Sequence, residues 1–291
     1  MTARVGYLGP IGTFTHGAAL DLCPDAELIA LSTQAVAIDA LGAGEIDAAV
    51  VPVDNSVHGL VLPTWDALLG SVDATIVADT TVPVTFDAFV KPDSSTPRVI
   101  VSHPHALAQC SAFVQAQGLA TRAASSTAEA CRTLADGEMA IAAPLCGDLY
   151  GLEVVDRGVE DVVGAATQFG KVVSPGQRVD PVQSATDASV LLLAVVPQHN
   201  EAGALLSVLS PIREAGLNLV NILARPIAHS DREFLFLLFV EGMDEAAAHS
   251  GLLGAIRGTG ATVANLGRLS GHVRHVTPAT RSLPRRMTVD G

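Results

Sequence analysis

The chain has 291 residues, 49% of them hydrophobic and 16% charged, which suits a globular protein of two or three domains and excludes a disordered chain. Its formal net charge of −13 opposes nucleic acid or an anionic membrane as partner, because long-range repulsion acts against either encounter. The N-terminus lacks a basic segment followed by an apolar core, and no apolar run approaches the roughly 18 residues of a membrane span, so the expected location is the cytoplasm.

Residues 4–9 (RVGYLG) read as a short buried strand. Gly9-Pro10-Ile11-Gly12-Thr13-Phe14-Thr15 breaks it before an Ala-rich helix that starts near His16. A Gly-rich strand-to-helix turn leaves free N–H groups at the helix start, and with the Thr13 and Thr15 hydroxyls these can cradle an anion; an ordinary capped turn has the same residues. The spacing matches neither the dinucleotide fingerprint nor a Walker loop. Residues 35–41 read as a helix and 47–53 as a strand buried on both faces. That strand ends in Asp54-Asn55-Ser56-Val57-His58-Gly59, before a helix beginning around Pro63-Thr64-Trp65-Asp66. Polar side chains at the carboxyl end of a buried strand are where open α/β sheets place ligand contacts, with a capping cluster as the other reading.

Residues 75–90 are β-rich and are expected to carry the chain into a second lobe. A strand over 99–101 closes in Ser102-His103-Pro104-His105, with Ser102 as the expected N-cap and Pro104 in the first helical turn. Ser126 or Thr127 opens another helix, and a strand over 138–143 precedes a helix over 145–150. The theme repeats: buried strand, hydroxyl-bearing turn, Ala-rich helix. This half of the chain is poor in Lys and Arg, so an anion would be held by helix N-termini and hydroxyls, each dipole contributing about 0.3–1 kcal/mol, in a hinged two-lobed cleft. Cys23, Cys110, Cys131 and Cys146 are scattered and read as buried free thiols, and the His103-x-His105 pair has no third ligand nearby. No metal or other cofactor is expected.

Beyond a Pro/Gly/Gln-containing linker over residues 174–186, strands over 188–196, 218–224, 233–240 and 262–269 alternate with helices over 202–215 and 244–257. This β-α-β-β-α-β order is that of a small ferredoxin-like sandwich. The tail over 272–291 is expected to be flexible.

Four stretches carry a more specific signal. Gly6-Tyr7-Leu8-Gly9-Pro10 with Gly12-Thr13-Phe14-Thr15, Val51-Pro52-Val53-Asp54-Asn55-Ser56, Ser102-His103-Pro104 with Ala106-Leu107-Ala108-Gln109-Cys110, and Ser126-Thr127-Ala128-Glu129-Ala130 resemble the prephenate dehydratase family, in the same order through about residue 175. The resemblance implies an α/β fold with a two-lobed catalytic domain like type II periplasmic binding proteins. That domain would span residues 1–178, with its second lobe over roughly 78–165 and prephenate between the lobes. Residues 187–271 resemble the ACT regulatory domain, which senses phenylalanine in dehydratases, and a homodimer or homotetramer is implied. Gly203, Ala204, Leu205, Arg225 and Pro226 match the family's effector elements. Leu223 and Ala224 stand where the family has Glu and Ser, which leaves a purely dimer-forming role open.

The same resemblance implies that Thr13, Asn55, Ser56, Ser126 and Thr127 hold the substrate's carboxylates, with Asp54 and Ser102 in the same substrate-binding set. Thr167, Gln168 and Phe169 would sit by the ring hydroxyl, and His58 is a candidate proton donor because histidine titrates near neutrality. Four positions depart from the family pattern. Its Asn-x-Thr-Arg-Phe motif is Ala165-Ala166-Thr167-Gln168-Phe169 here, and Asp54 and His58 stand where Glu is usual. In dehydration, loss of carbon dioxide from prephenate expels the ring hydroxyl with help from a positioned donor. Without that help a ring carbon is protonated and the product is a non-aromatic dihydro-hydroxyphenylpyruvate, as in the related prephenate decarboxylases of specialised metabolism. Arg-to-Gln replacement removes a charge-assisted bond of about 1.5–3 kcal/mol. The expectation therefore favours decarboxylation. Dehydration to phenylpyruvate, which Thr167 supports, is the alternative, and a catalytically inactive ACT-linked sensor is a third reading.

Overall fold

A computed structural model describes residues 2–71, 74–174, 189–227, 233–242 and 246–271. The tail and most of the linker fall outside them. The first lobe is built from β1 (Arg4–Leu8), α1 (Phe14–Leu22), β2 (Glu27–Leu31), α2 (Gln34–Gly42), β3 (Ala48–Asn55), β4 (Gly59–Leu60), α3 (Leu62–Gly70) and β5 (Thr75–Pro83). β1 pairs in parallel with both β2 and β3. Threonines start the first two helices: Thr13 accepts from the His16 N–H at 3.2 Å and Thr33 from the Val36 N–H at 3.1 Å. β3 is buried from Ala48 to Asp54, so its apolar run has helices or sheet on both sides.

The second lobe holds β6 (Asp87–Val90), β7 (Val99–Ser102), α4 (Pro104–Gln109), α5 (Ser111–Gln117), β8 (Ala120–Ala123), α6 (Thr127–Arg132), β9 (Glu138–Ala142), α7 (Leu145–Tyr150) and β10 (Glu153–Asp156). Its sheet runs β10-β6-β9-β7-β8. The chain then returns through β11 (Ala166–Val173), which inserts antiparallel between β3 and β5 to give the order β5-β11-β3-β1-β2 in the first lobe. Two segments therefore cross between the lobes, after β5 and before β11. The crossing comes later than the sequence suggests, because β5 stays paired with β11 up to Pro83.

A bulge marks β3. Gln168 pairs with Asp54 and Phe169 with Pro52, leaving Val53 as the extra residue. Proline, which lacks an N–H, is tolerated in a central strand at such a break. The carbonyls released there are taken up by α3: Thr64 donates to Pro52 at 2.6 Å and the Trp65 indole to Val53 at 2.9 Å.

The third unit consists of β12 (Val190–Val196), α8 (Ala204–Glu214), β13 (Asn218–Pro226), β14 (Phe234–Glu241), α9 (Ala246–Gly258) and β15 (Thr262–Leu269), with strand order β13-β14-β12-β15. This is the ferredoxin-like βαββαβ sandwich that the element order predicts. The apolar run of β12 is explained by cover on both faces. Leu191, Leu193 and Val195 pack with Val208 and Ile212 of α8 and Ile256 of α9, while Leu192 and Ala194 pack with Trp65 and Leu68 of the first lobe. Trp65 meets Phe239 edge-on, with ring centroids 5.2 Å apart. Gly267 of β15 pairs with Ile76 of β5, so one sheet continues from the small domain into the first lobe. All four cysteines are buried free thiols. Among the described residues no helix is long and apolar enough to cross a membrane.

Candidate active site

Between the lobes lies a cavity of about 510 Å³. Three helices begin on its wall, and the residue that caps each one lines it: Thr13 for α1, His103 for α4 and Ser126 for α6. N-termini converging on one space present partial positive charge and unpaired N–H groups to it. No Lys or Arg is among the described residues lining the cavity, so these helix ends supply its attraction for anions. Phe14 and Phe86 meet edge-to-face at 5.5 Å and, with Val84 and Phe169, give the cavity an apolar side suited to a six-membered ring.

Strand alternation decides which predicted residues reach this space. On β3 Asn55 faces the cavity, while Asp54 and Ser56 are each 2% exposed and lie outside its wall. The Ser56 hydroxyl accepts from the Ala166 N–H at 2.9 Å, which ties β3 to β11 and does not serve a ligand. Thr167 and Phe169 line the cavity from β11. Ser102 is a further correction. It is fully buried at the end of β7 with its hydroxyl donated to the Ile141 carbonyl at 2.6 Å, and His103, not Ser102, caps α4. Thr13 reaches the cavity, but its hydroxyl donates to the Leu8 carbonyl at 3.0 Å and accepts from His16, so a ligand there would meet the helix N–H groups and not a free O–H. Thr127 lines the wall beside Ser126. Val84 and Phe86 also line the cavity from the crossing segment, where no local signal marks them, and His105 and Gln109 line it from α4 although the sequence assigns them no site role.

Asn55 organises the reactive side. Its Oδ1 accepts the N–H groups of Val57 and His58, both at 3.0 Å. Those groups can only donate, so the amide orientation is fixed and Nδ2 must face Thr167, which it does at 2.8 Å. The Thr167 oxygen is therefore an acceptor in this bond, and its own proton remains to be donated elsewhere. His58 Nδ1 lies 3.1 Å from the same Oδ1, which calls for a proton on Nδ1 and leaves Nε2 for the cavity.

Two histidines near the cleft are held neutral. His16 accepts the Gly12 N–H on Nδ1 at 3.3 Å, and burial lowers its pKa. His103 accepts the His105 N–H on Nδ1 at 3.2 Å, and burial, followed by the neighbouring His105, lowers its pKa. Both bonds are lost on protonation. The unfolded chain therefore binds more protons below the ordinary histidine pKa of about 6.5, and stability must fall as pH drops through that value towards the depressed folded pKa values. The unfolding midpoint is expected to decline from pH 7 to pH 5. His103→Asn, which can still cap α4 but does not titrate, should flatten the slope in thermal melts; an unchanged slope would remove His103 from the account.

A family model described as prephenate dehydratase matches residues 5–178. The chain belongs to the prephenate dehydratase family. A prephenate dehydratase from Amycolatopsis methanolica is 34% identical over 96% of this chain and 93% of that protein. Among solved structures, a prephenate dehydratase from Arthrobacter aurescens in complex with L-Phe superposes with a TM-score of 0.79 at 29% identity, covering 95% of this chain and 92% of that one. A structure described as GqqA, a novel type of quorum quenching acylase, superposes with a TM-score of 0.78 at 25% identity, covering 92% and 98%.

In this member of the prephenate dehydratase family, the altered motif position is not where the sequence reading put it. Gln168 is 1% exposed on the opposite face of β11 from Thr167, and its Nε2 donates to Asp79 at 2.7 Å. It does not line the cavity. Asp54 and Ala165 are likewise outside, so of the four departures only His58 lines the dehydratase-like cleft. In the small domain Gly203, Ala204 and Leu205 line a separate cavity of about 330 Å³ with His199, Glu201 and Glu233. Arg225 and Pro226 do not line it; Arg225 instead pairs with Asp66 of α3 at 2.6 Å.

Proposed function

We propose that this chain converts prephenate to phenylpyruvate, with L-phenylalanine as a ligand of its small domain. The observation that carries the reading is the bond from Asn55 Nδ2 to the Thr167 oxygen, which leaves the Thr167 proton free to be donated into the cleft. The substrate's carboxylates sit at the converging helix N-termini and its ring against Phe14, Phe86 and Phe169. The bond between the ring and its carboxylate breaks, and the electron pair enters the ring as carbon dioxide leaves. The bond from the ring to its hydroxyl breaks in turn, making the ring aromatic. Thr167 hydrogen-bonds the departing oxygen, and His58, anchored through Nδ1 to Asn55, supplies from Nε2 the proton that turns it into water. The Arthrobacter relative's complex with L-Phe, and Gly203, Ala204 and Leu205 around the small-domain cavity, support the ligand assignment.

The decarboxylation reading rests on Gln168 lying beside the ring hydroxyl. With that side chain behind the strand, the premise is gone. The test is product identification after incubation with prephenate at neutral pH, by mass and ultraviolet absorbance against an enzyme-free control. Phenylpyruvate is expected from the wild type and equally from Gln168→Arg. A product that has lost carbon dioxide and kept its hydroxyl would reverse the assignment, and no turnover would leave a ligand sensor.

A further inference from the structure

Gln168 is polar and nearly fully buried, on the back of the strand whose front carries Thr167 and Phe169. Its Nε2 donates both to Asp79 Oδ2 on β5, at 2.7 Å, and to the carbonyl of Gly271 just beyond β15, at 3.0 Å. Asp79 also accepts from Ser270 twice, from the backbone N–H on Oδ1 and from the hydroxyl on Oδ2, each at 2.7 Å. Four hydrogen bonds on two side chains thus stitch the end of the small domain's last strand to the two strands behind the cleft.

Stability alone gives no reason for such a tie. Gln168 Oε1 is buried with no hydrogen-bond partner among the described residues, and an orphaned buried acceptor costs more than an apolar side chain of the same shape. Its location supplies the reason. The β3–β11 ladder shifts register directly after Gln168, so the regular pairing of Thr167 with β3 ends one residue beyond it, while β5 pairs along the other side. The Gln168 side chain restrains that same segment from behind.

We infer that Asp79 and Gln168 are positioning residues that fix the β11 segment carrying Thr167, and that the end of the small domain's last strand is thereby part of the catalytic support. The inference rests on the proposed function only in taking Thr167 as a working group. A misplaced donor is costly: displacements near 1 Å lower rates by about 100-fold. The placement of the small domain is then a determinant of kcat.

The test measures kcat as disappearance of prephenate, so the tie is judged whichever product forms, and product identity judges the proposed function separately. Gln168→Leu removes the donors, and kcat is expected to fall between about 10- and 100-fold with KM within about threefold, since the helix N-termini of the cleft are untouched. Gln168→Arg, which keeps donors towards Asp79 and Gly271, should hold kcat within about threefold of the wild type. Asp79→Asn should lower kcat as well, and the Asp79→Asn/Gln168→Leu double variant should lose no more than the worse single variant, because both act through one tie. If Gln168→Leu fails to fold, Gln168→Glu, which keeps the size but repels Asp79, is read in the same way. Wild-type kcat in the Gln168 variant, or losses that multiply in the double variant, would overturn the inference. A wild type that consumes no prephenate would overturn both it and the proposed function.

Discussion

Replacing Thr167 with valine is expected to lower kcat on prephenate by about 10²- to 10³-fold while leaving KM within a few-fold, because the change removes one donor aimed at the charge that develops on the departing oxygen. Valine preserves the shape, and Asn55 keeps its two backbone donors from Val57 and His58, so the wall of the cleft should hold. The companion change His58→Gln separates the two roles. If His58 supplies the proton, the glutamine variant loses most of the rate and its pH profile of kcat differs in shape from that of the wild type. The carboxylates Glu160 and Asp161 and the imidazoles of His103 and His105 share the cavities that His58 lines, so the profile must be compared between variants and not read from the wild type alone. A Thr167→Val enzyme with wild-type kcat would remove the hydroxyl from the mechanism.

Gly267→Ala is expected to be the most disruptive single-methyl change in the described chain. At φ +105°, Gly267 lies where a side chain is strained, and a Cβ would collide with the carbonyl oxygen of Ile76. That obstacle is backbone, on β5, so no rotamer change relieves it. The residue sits at a bulge in β15, where Gly267 pairs with Leu192 and Asn265 with Leu193, and the Asn265 side chain accepts the Gly267 N–H at 2.9 Å. Either the small domain separates from β5 or the whole sheet shifts. A loss of about 4 kcal/mol or more is expected, seen as an unfolding midpoint lowered by about 10 °C or as a separate transition for the small domain. An alanine variant that melts like the wild type would mean that the two sheets are not joined at this residue in solution.

The four family-like stretches could be read in sequence because each is a local pattern. Strand, turn and capped helix occupy consecutive residues, and Ser126 caps α6 on the cavity wall as expected, while Thr13 caps a first helix that begins at Phe14, earlier than the His16 start the sequence suggests. Ser102 shows the limit of that reading. Its type suits an N-cap, but the helix starts one residue later, and the hydroxyl is taken by the neighbouring strand through Ile141.

The altered motif exposes a second limit. Thr167, Gln168 and Phe169 read as one catalytic unit, yet a strand sends alternate side chains to opposite faces. The same alternation removes Asp54 and Ser56 from the site and leaves Asn55 in it. The bulge at Val53 could not be foreseen, since it depends on how β11 pairs with a strand more than a hundred residues earlier.

By itself, then, the sequence determined most of the strands and helices, the hydroxyl-bearing turns at the cleft, its base-poor character and the combination of a two-lobed unit with a small sandwich, all of which follow from periodicity and local hydrogen bonding. Only the tertiary structure decided which polar residues share the cavity with Thr167, that Phe14 from α1 and Phe86 from the crossing segment form its apolar side, and that Gln168 belongs to the tie with Asp79 and Ser270. Those outcomes rest on sheet register and on contacts between segments up to 191 positions apart, which no local pattern encodes.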